Sequence, residues 1–339
     1  MSKILTIIIP TYNMERYLDK CLSSLVIDDE ELMSAIEVLI INDGSKDHSS
    51  EIAHSYEKKW PQTVCVIDKE NGNYGSCVNK GLEVTKGKYV KILDADDSFD
   101  TSALKEYVKV LKGQDADMIV TSGVNVNSDG EITFEWDFSY EKNKLYSVEE
   151  LKHVWVHDVT HKTSILRSIN YKQTEGISYT DEEWVFYPMI AIKDFFTVSL
   201  RLYRYTIGRE GQTMNPANWT KAMSHEILVS KKLFGFLEKN KKELGMSKEY
   251  YRLKMTGRMR GFYYRALITC GLYDNSELAG FDKYIEKNCP EYYEATMDAV
   301  VNTRLFDFYF VRYWRKAGYH LNKHLNRFIL YRLYQKILH

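Results

Sequence analysis

The sequence lacks the features that mark several classes of protein. Its five cysteines are scattered without a Cys-x-x-Cys pair, which argues against a zinc ribbon or a disulfide framework and favours reduced, buried thiols in the cytosol. No apolar run reaches about 18 residues, so we expect no membrane-spanning helix. The first residues contain no charged leader followed by a long apolar core, so we also expect no signal peptide.

Neither sign of charge is in excess. The 46 Lys and Arg residues balance 47 Asp and Glu residues, for a net charge of -1, and this gives no support to a nucleic-acid partner. The hydrophobic fraction of 44% and the charged fraction of 27% are typical of a soluble globular protein. The 339 residues are enough for one large domain or two modest ones.

Two common nucleotide-binding motifs are also missing. The sequence has no Gly-x-Gly-x-x-Gly after its first strand and no Gly-x-x-x-x-Gly-Lys-Ser/Thr loop. A dinucleotide-dependent dehydrogenase and a P-loop nucleotidase are therefore both disfavoured.

The first part of the chain alternates between strand and helix patterns. Continuous apolar runs indicate strands buried on both faces, and a period near 3.6 residues indicates the helices between them. The predicted strands are Leu5–Pro10, Ile36–Ile41, Val64–Asp68 and Tyr89–Leu93, and the predicted helices are Glu15–Val26, Ser49–Lys59 and Tyr74–Thr85. This order predicts an α/β fold with a mostly parallel sheet, flanked by helices and joined by right-handed crossovers.

The later part of the chain continues with mixed patterns and then becomes helical. We predict a helix over Leu104–Leu111, a strand over Asp117–Val126, a β-ribbon near Gly130–Phe138, a helix start at Ser147, a helix over Asp181–Ile192 and a strand over Phe195–Tyr205. From about Trp219 the pattern is wholly helical. The predicted domains are therefore residues 1–215 and a helical C-terminal region, residues 216–339.

Polar clusters follow each predicted strand of the first part. They are Thr11-Tyr12-Asn13, Asp43-Gly44-Ser45, Asn71–Gly75 and Asp94–Asp97. Because ligands collect beyond the carboxyl ends of parallel strands, these clusters predict one shared site. The carboxylates of Asp94, Asp96 and Asp97 repel one another, and a divalent cation such as Mg²⁺ or Mn²⁺, shared with substrate phosphates, would compensate them.

Several ordered motifs together resemble glycosyltransferase family 2. They are Ile7–Asn13 with Pro10-Thr11-Tyr12-Asn13, Glu37–Ser45 with Asp47, Asn71-Gly72 with Asn79 and Gly81, Lys86–Tyr89, and Leu93-Asp94-Ala95-Asp96-Asp97. The resemblance covers residues 3–125 strongly and residues 150–215 more loosely. It implies a GT-A fold, a nucleotide-diphospho-sugar donor, a divalent metal and inversion at the anomeric carbon.

The resemblance also implies donor-binding residues. The nucleotide pocket would be lined by Pro10, Tyr12, Asn13 and Glu15, and Asp43 would accept a hydrogen bond from a uracil-like base. The donor would also contact Asn71, Asn79 and Lys80, while Asp94 and Ala95 would hold the ribose and diphosphate. Asp96 would bind the metal, and Arg209 and Gln212 would fold over the diphosphate. Five of these residues also have a structural explanation: a turn for Asp43, a polar helix face for Asn79 and Lys80, and a surface loop for Arg209 and Gln212. Asp97 could instead cap the following helix.

An inverting transferase needs a base for the acceptor hydroxyl. The resemblance places it in Tyr179-Thr180-Asp181-Glu182-Glu183-Trp184, with Asp181 favoured and Glu182 or Glu183 second. These carboxylates could instead only favour a helix N-terminus. His157 is a candidate acceptor contact. His157-Asp158-Val159-Thr160-His161 differs from the zinc-binding His-Glu-x-x-His, with Asp for Glu and no obvious third ligand.

The last segment is basic and aromatic. Residues 301–339 hold eight Lys and Arg residues against one acidic residue, Asp307, a composition typical of peripheral membrane contact and of ordinary solvated helices alike. We expect a cytoplasmic enzyme that transfers a UDP-linked sugar to a cell-surface glycan or polyprenyl-linked glycan. Peripheral contact of residues 301–339 with the inner face of the cell membrane is one interpretation of this segment. A sugar nucleotidyltransferase and a non-catalytic nucleotide- or glycan-binding scaffold are the alternatives.

Overall fold

The computed structural model describes residues 2–208, 216–302 and 307–319. These residues form two compact units. The first contains residues 2–208 with 236–248, and the second contains residues 216–235, 249–302 and 307–319. In the described residues, no helix combines the length and apolar content that crossing a membrane requires.

The first unit is built on a large sheet. Its strands are β1 (Leu5–Thr11), β2 (Ile36–Asn42), β3 (Val64–Asp68), β4 (Tyr89–Ile92), β5 (Ser98–Phe99), β6 (Met118–Val126), β7 (Ile132–Trp136), β8 (Leu145–Ser147), β9 (Val159–Lys162) and β10 (Asp194–Thr206). The spatial order is β3-β2-β1-β4-β9-β6-β10-β5, with β7 beside β6 and β8 beside β10. Strands β1 to β4 and the β6–β10 pair are parallel, whereas β9 runs antiparallel between β4 and β6.

Helices cover this sheet along the chain. They are α1 (Leu18–Ser23), α2 (Glu30–Ser34), α3 (Ser49–Lys59), α4 (Asn73–Val84), α5 (Thr101–Gly113) and α6 (Thr163–Ser168). The α/β class with a mostly parallel, helix-flanked sheet is thereby confirmed. The predicted bounds of α3 agree with the structure, and those of α4 differ by one residue at each end.

The core of the first unit is made by the apolar runs of the early strands. All seven residues of β2 are buried, and β1 is buried except at Pro10, which is partly exposed. Helix α4 approaches β1 closely at Gly81, where an added Cβ would lie 2.7 Å from Ile8 Cδ1. Because this close packing leaves no room for a side chain, it fixes the position of α4 against the middle of β1.

Three local predictions were wrong, the first two of them in the first unit. Strand β1 continues through Pro10 to Thr11, because its ladder with β4 ends at Ile8 and the missing N–H of proline breaks no bond there. The predicted helix over residues 181–192 is instead two 3₁₀ segments, Asp181–Val185 and Tyr187–Ile190. Pro188 has no N–H to donate to the carbonyl four residues earlier, and its ring clashes with that carbonyl in an α-helix, which explains the break.

The third error concerns the cysteines. All five are free, and Cys21 and Cys77 are buried as expected, but Cys65 is exposed and Cys270 and Cys289 are partly exposed. Cys65 lies on β3, at the edge of the sheet order, where one face of the strand is open.

The second unit is mostly helical. Its elements come from α7 (Pro216–Lys239), α8 (Lys248–Tyr263), α9 (Ser276–Asn288), α10 (Pro290–Thr296) and α11 (Phe310–Lys316), with a π-helical segment at Tyr264–Thr269. The prediction of a wholly helical region needs one correction, since β11 (Val301–Asn302) pairs with β12 (Asp307–Phe308). The proposed functional boundary between residues 215 and 216 stays a prediction.

Buried ion pairs stabilise the second unit. Glu226 accepts hydrogen bonds from Arg258 at 2.9 Å and from Arg265 at 2.8 Å. Asp282 accepts from Arg315 at 2.7 Å and also binds the hydroxyl of Tyr263. Each buried carboxylate is thus paired with a guanidinium group, which offsets the cost of removing it from water.

Candidate active site

The acidic turn lies where β4 ends, directly after the buried residue Leu93. The carboxylates of Asp94, Asp96 and Asp97 each have an oxygen within 4.8 Å of the others. The turn closes with a hydrogen bond of 3.0 Å from Asp97 N to Asp94 O. The structure therefore brings together the three carboxylates that the sequence grouped.

Asp97 has a different environment from the other two. It is 2% exposed, and its two carboxylate oxygens accept hydrogen bonds of 2.7 Å from the Tyr203 hydroxyl and 2.7 Å from Thr206 N. Burial raises the pKa of Asp97 well above its usual range, and Asp96 and Asp94 raise it further. The cap of α5 is Asp100, which accepts from Ala103 N at 2.9 Å, so Asp97 does not cap that helix.

Asp94 and Asp96 are partly exposed at the same turn. Asp94 Oδ1 accepts a hydrogen bond of 3.1 Å from the Tyr74 hydroxyl, and Asp94 N donates to the Tyr203 hydroxyl at 3.3 Å. Two tyrosines from distant parts of the chain thus fix the orientation of Asp94. Ala95 between the two carboxylates is buried.

Asp43 lies just beyond β2 and is 3% exposed. Its Oδ1 accepts from Lys69 Nζ at 2.5 Å and from Gly72 N at 2.9 Å, and its backbone carbonyl accepts from Asn71 Nδ2 at 3.0 Å. Lys69 Nζ also donates to Ser76 Oγ at 2.9 Å. The loops after β2 and β3 are thereby tied together around the Asp43 carboxylate.

The loop after β1 is joined to the loop after β2. Asn13, with φ of 53°, donates from its N to Ser45 Oγ at 3.0 Å and accepts at Oδ1 from Lys46 N at 2.8 Å. Glu15 Oε2 accepts from His48 N at 3.0 Å. The side chains of Asn13 and Glu15 thus connect loops, whereas Tyr12 is 45% exposed and available to a flat ligand.

The two polar residues predicted on α4 have separate environments. Lys80 Nζ pairs with Glu83 Oε2 at 2.8 Å on the surface. Asn79 is buried, and its amide bonds to Gln173 and Glu175 of the segment before the acidic 3₁₀ turn. Lys80 therefore lies on the polar surface of α4, whereas the amide of Asn79 is buried, and the donor contacts predicted for both stay predictions.

The three candidate bases differ sharply in exposure. Asp181 is exposed, Glu182 is partly exposed and Glu183 is 0% exposed. Glu183 accepts hydrogen bonds from Thr174 N at 2.7 Å, Thr174 Oγ1 at 2.8 Å and the Tyr187 hydroxyl at 3.3 Å. A carboxylate held in this way stabilises the local chain, so Asp181 is the best placed of the three to meet a substrate.

Tyr74 connects the acidic turn with the 3₁₀ turn. Burial raises the pKa of its hydroxyl well above the usual range, and the carboxylates of Asp94 and Asp181 both raise it further. The Tyr74 hydroxyl thus bonds to Asp94 and lies in the field of the Asp181 charge as well. This role could not be predicted from the sequence, because Tyr74 resembles any residue at the start of a helix such as α4.

His157 packs against two tyrosines of β10, one of which supports the acidic turn. Its ring lies 4.4 Å from that of Tyr203 and 5.3 Å from that of Tyr205, centroid to centroid. Its carbonyl accepts a hydrogen bond of 2.7 Å from Lys91 Nζ, a fully buried lysine of β4. Burial lowers the pKa of His157 to about 3, with a further contribution from Lys91, so the ring is neutral at pH 7.

The donor set of the acidic turn suits a hard divalent cation. Its ligands are all carboxylate oxygens, which Mg²⁺ and Mn²⁺ prefer. Asp97 has both oxygens engaged by Tyr203 and Thr206, so Asp96 and Asp94 are the residues that fit a metal. Arg209 and Gln212, predicted to fold over the diphosphate, lie outside the described residues.

Sequence reasoning missed several residues of this region. Tyr203 lies within a predicted strand, Lys69 in the loop after β3, and Lys91 within an apolar run. Their partners are far away in sequence: Tyr203 and Asp97 are 106 positions apart, and Lys91 and His157 are 66 positions apart. A lysine inside an otherwise apolar strand was the one signal that could have marked Lys91.

Comparisons with known proteins agree with this geometry. The sequence model described as Glycosyl transferase family 2 matches residues 6–172. An uncharacterized glycosyltransferase of Rickettsia typhi is 30% identical over 257 residues, which cover 73% of this chain and 76% of that protein. Glycosyltransferase GlyG of Streptococcus pneumoniae is 29% identical over 153 residues, or 44% of this chain and 48% of that protein.

A solved structure shares the fold. The crystal structure of residues 1–349 of S. aureus TarS in complex with UDP-GlcNAc has a TM-score of 0.57 against this chain and 18% sequence identity. The match covers 86% of this chain and 81% of that one. At this level of identity the likeness is evidence for the fold alone.

Proposed function

The chain belongs to glycosyltransferase family 2, and from this premise we propose that it is an inverting, metal-dependent enzyme that moves a sugar from a nucleotide-diphospho-sugar to an acceptor hydroxyl. The donor that we propose is UDP-linked. The acceptor that we propose is a cell-surface glycan or a lipid-linked oligosaccharide. The observation that carries the proposal is the cluster of carboxylates at the end of β4, in which Asp94 and Asp96 are partly exposed and lie within 4.8 Å of each other.

The nucleotide is proposed to bind over the loops after β1 and β2. Tyr12, 45% exposed, offers a ring on which a flat base can stack. Asp43 keeps a fixed carboxylate there because Lys69 and Gly72 both hold its Oδ1, and the other oxygen can accept from the N–H of a uracil-like base. Such a bond favours uracil over bases that present an acceptor at this position.

The diphosphate is proposed to lie against the acidic turn. Asp96 and Asp94 would hold the Mg²⁺ or Mn²⁺ ion, which when bound neutralises phosphate charge and the charge that develops on the leaving group. Tyr74 and Tyr203 keep Asp94 in one orientation. Asp97 supports the turn from below through its bonds to Tyr203 and Thr206.

Asp181 is proposed as the general base. It is exposed at the start of its 3₁₀ segment, while Glu183 two residues later is buried. Asp181 takes the proton of the acceptor hydroxyl as that oxygen attacks the anomeric carbon, and the nucleotide diphosphate leaves from the opposite face. This single displacement inverts the configuration at the anomeric carbon.

The proposal also covers where the enzyme acts in the cell and which residues face its acceptor. We propose a cytoplasmic enzyme that reaches lipid-linked acceptors by peripheral contact through residues 301–339, most of which lie outside the described residues. His157 is proposed to act on the acceptor side through its packing on Tyr203 and Tyr205 rather than as a charged group.

Thermal stabilisation by nucleotides tests this function. A ligand that binds only the folded state raises Tm by mass action. At a ligand concentration of 100 times Kd, it increases the free energy of unfolding by about 2.7 kcal/mol. UDP with Mn²⁺ should raise Tm, and EDTA or Asp96→Asn should abolish the shift. In the absence of an acceptor, water should slowly attack the anomeric carbon of UDP-GlcNAc and release UDP and the free sugar, and Asp181→Asn should stop this hydrolysis.

Other outcomes separate the alternatives. A shift with GDP or a deoxythymidine diphosphate in place of UDP keeps the reaction and changes the donor. Metal-dependent UDP binding without UDP release from UDP-GlcNAc or from a panel of other UDP-sugars favours the scaffold. No shift with any nucleotide contradicts the proposed function.

A further inference from the structure

The segment of residues 171–176 lies between α6 and the 3₁₀ turn that begins at Asp181. It has no helix or strand of its own, yet Gln173 within it is 1% exposed. A segment without backbone ladder bonds must be held in place by other contacts. Its hydrogen bonds join it to α4 and to Thr180, the residue before Asp181.

Asn79 supplies the first set of contacts, from α4. Asn79 Oδ1 accepts a hydrogen bond of 2.8 Å from Gln173 N, and Asn79 Nδ2 donates to Gln173 O at 2.9 Å and to Glu175 Oε1 at 2.7 Å. Both amide hydrogens and the amide oxygen of Asn79 are therefore engaged within the protein. An amide used in this way is poorly suited to bind a donor substrate as well.

Gln173 supplies the second set of contacts, from its side chain. Gln173 Nε2 donates to Thr180 O at 2.9 Å and to Thr180 Oγ1 at 3.1 Å. The Tyr171 hydroxyl donates to Gln173 Oε1 at 3.0 Å, which fixes the orientation of the amide. Asn79 thus holds the backbone of Gln173, and the side chain of Gln173 holds Thr180.

Thr180 is the residue directly before Asp181, and the chain there is strained. Tyr179 has φ of 64°, in the left-handed region that a bulky side chain rarely adopts. Such a conformation persists only when surrounding contacts fix it. Gln173 provides two of those contacts one residue later, so it restrains the backbone from which Asp181 projects.

Further bonds join the same pieces. Thr174 donates from both its N and its hydroxyl to the buried Glu183, and Gly176 N donates to Gly72 O at 2.9 Å. The segment 171–176 therefore bonds to the start of α4 on one side and to the 3₁₀ turn on the other. We call the path from Asn79 through Gln173 to Thr180 the amide relay.

We propose that Asn79 and Gln173 are positioning residues for Asp181, acting through the amide relay. This inference rests on the proposed function, because it takes Asp181 as the base. It assigns Asn79 a role other than contact with the sugar donor. Disrupting the relay should lower the rate of sugar transfer while leaving nucleotide affinity unchanged.

The test compares Asn79→Ala and Gln173→Ala with a matched control, Lys172→Ala. Lys172 is in the same segment, but its side chain is 74% exposed and its nearest carboxylate, on Glu175, is 3.9 Å away. Three quantities are measured for each protein. They are the Kd for UDP with Mn²⁺, the turnover of UDP-GlcNAc to free UDP without acceptor, and amide hydrogen exchange in residues 174–186.

The relay predicts a split between rate and affinity. In Asn79→Ala and Gln173→Ala, turnover should fall by about 10-fold or more, the Kd for UDP should stay within about 2-fold, and exchange in residues 174–186 should become faster. Lys172→Ala should match the wild type in all three. A rise in the Kd for UDP that accounts for the whole loss of activity would identify Asn79 as a donor contact and overturn the proposal.

A polarity exchange gives a second, independent check. Asn79→Asp keeps the acceptor for Gln173 N but loses both donors and places a second carboxylate beside Glu175. Asn79→Asp combined with Glu175→Gln restores the bond between positions 79 and 175, with donor and acceptor exchanged. Partial recovery of turnover and of exchange protection in the double variant supports the relay, and a double variant as impaired as Asn79→Asp contradicts it.

Hydrogen exchange also separates this inference from the proposed function. A wild type that binds none of UDP, GDP and a deoxythymidine diphosphate contradicts the function. In that case faster exchange in residues 174–186 of the relay variants still supports the restraint of the turn. Unchanged exchange there contradicts the relay, whatever the activity.

Discussion

The exposure of the three acidic residues at 181–183 leads to a prediction that separates catalysis from stability. Asp181→Asn should abolish sugar transfer and leave the fold intact, because the side chain is exposed. Glu183→Gln should lower stability first, because the side chain is fully buried and accepts three hydrogen bonds. Both substitutions replace a carboxylate by an amide of the same shape, so each serves as the control for the other.

The cost of Glu183→Gln follows from its partners. Oε2 accepts from the backbone N–H of Thr174, which cannot turn away, whereas Oε1 accepts from two hydroxyl groups that can rotate. The new NH₂ group will therefore take the position of Oε1, and the hydroxyls will accept from it. The variant loses the charge assistance of these bonds, roughly 1–3 kcal/mol in total.

Two assays check the pair. Thermal unfolding should show a Tm lower by about 3–8 °C for Glu183→Gln and within about 1 °C of the wild type for Asp181→Asn. UDP release from UDP-GlcNAc should fall by about 10²–10⁴-fold in Asp181→Asn, the usual contribution of a general base. Glu183→Gln, assayed well below its Tm, should retain a measurable fraction of the wild-type rate.

The opposite pattern would refute the reasoning. If Glu183→Gln lost the rate with an unchanged Tm while Asp181→Asn retained it, the buried carboxylate would be the base. Glu182→Gln tests the remaining candidate, and a loss of rate confined to that variant would move the base to Glu182.

Three further predictions follow from single features. Burial lowers the pKa of Lys91 from 10.5 to about 7, and Asp158 opposes this with a smaller raising effect. Between pH 7 and 10.5 Lys91 is therefore protonated in the unfolded chain but neutral in the folded one, so stability rises with pH. The unfolding free energy of the wild type minus that of Lys91→Met should therefore increase by roughly 1 kcal/mol per pH unit from about pH 7.5 to 9.5 in urea titrations, and parallel curves would contradict this. A Cβ at Gly75 would lie 1.9 Å from Thr174 O, whereas one at Gly113 would meet nothing within 4 Å; Gly75→Ala should lower stability by about 1–3 kcal/mol and Gly113→Ala should not, and equal Tm values for the two variants would show that the 171–176 segment yields. Asp96→Asn should remove the Mn²⁺-dependent part of UDP binding measured by calorimetry, and undiminished Mn²⁺ dependence would exclude Asp96 as a ligand.

The sequence was sufficient for the early strands because each is a continuous apolar run that ends in turn residues. Ile36–Asn42 is buried throughout, and the helix over Ser49–Lys59 has the predicted bounds. Alternation of these elements left few possible topologies. The same pattern placed the polar clusters at one edge of the sheet, which is why the acidic turn could be identified before the structure.

The 3₁₀ turn after Tyr179 could not be predicted in the same way. Its acidic residues suggested the first turn of an α-helix. Instead the chain forms two 3₁₀ segments, which follow the left-handed φ of Tyr179 and are separated shortly before Pro188. The conformation depends on Gln173, whose partner Asn79 is 94 residues away. No local pattern encodes a contact of this range, so a residue such as Gln173 looks like part of an ordinary polar loop.

The two halves of the candidate site are therefore held by different kinds of interaction. The acidic turn continues a buried strand whose position is fixed by the sheet ladder and by Tyr203 beneath Asp97. Asp181 stands on a strained turn that depends on side-chain amides for its position. Because ladder bonds in a packed sheet open less readily than isolated side-chain bonds, the position of Asp181 is the more easily altered of the two. Substitutions in the amide relay should consequently act on the rate of transfer, whereas substitutions around Asp43 and the acidic turn should act on the binding of the donor.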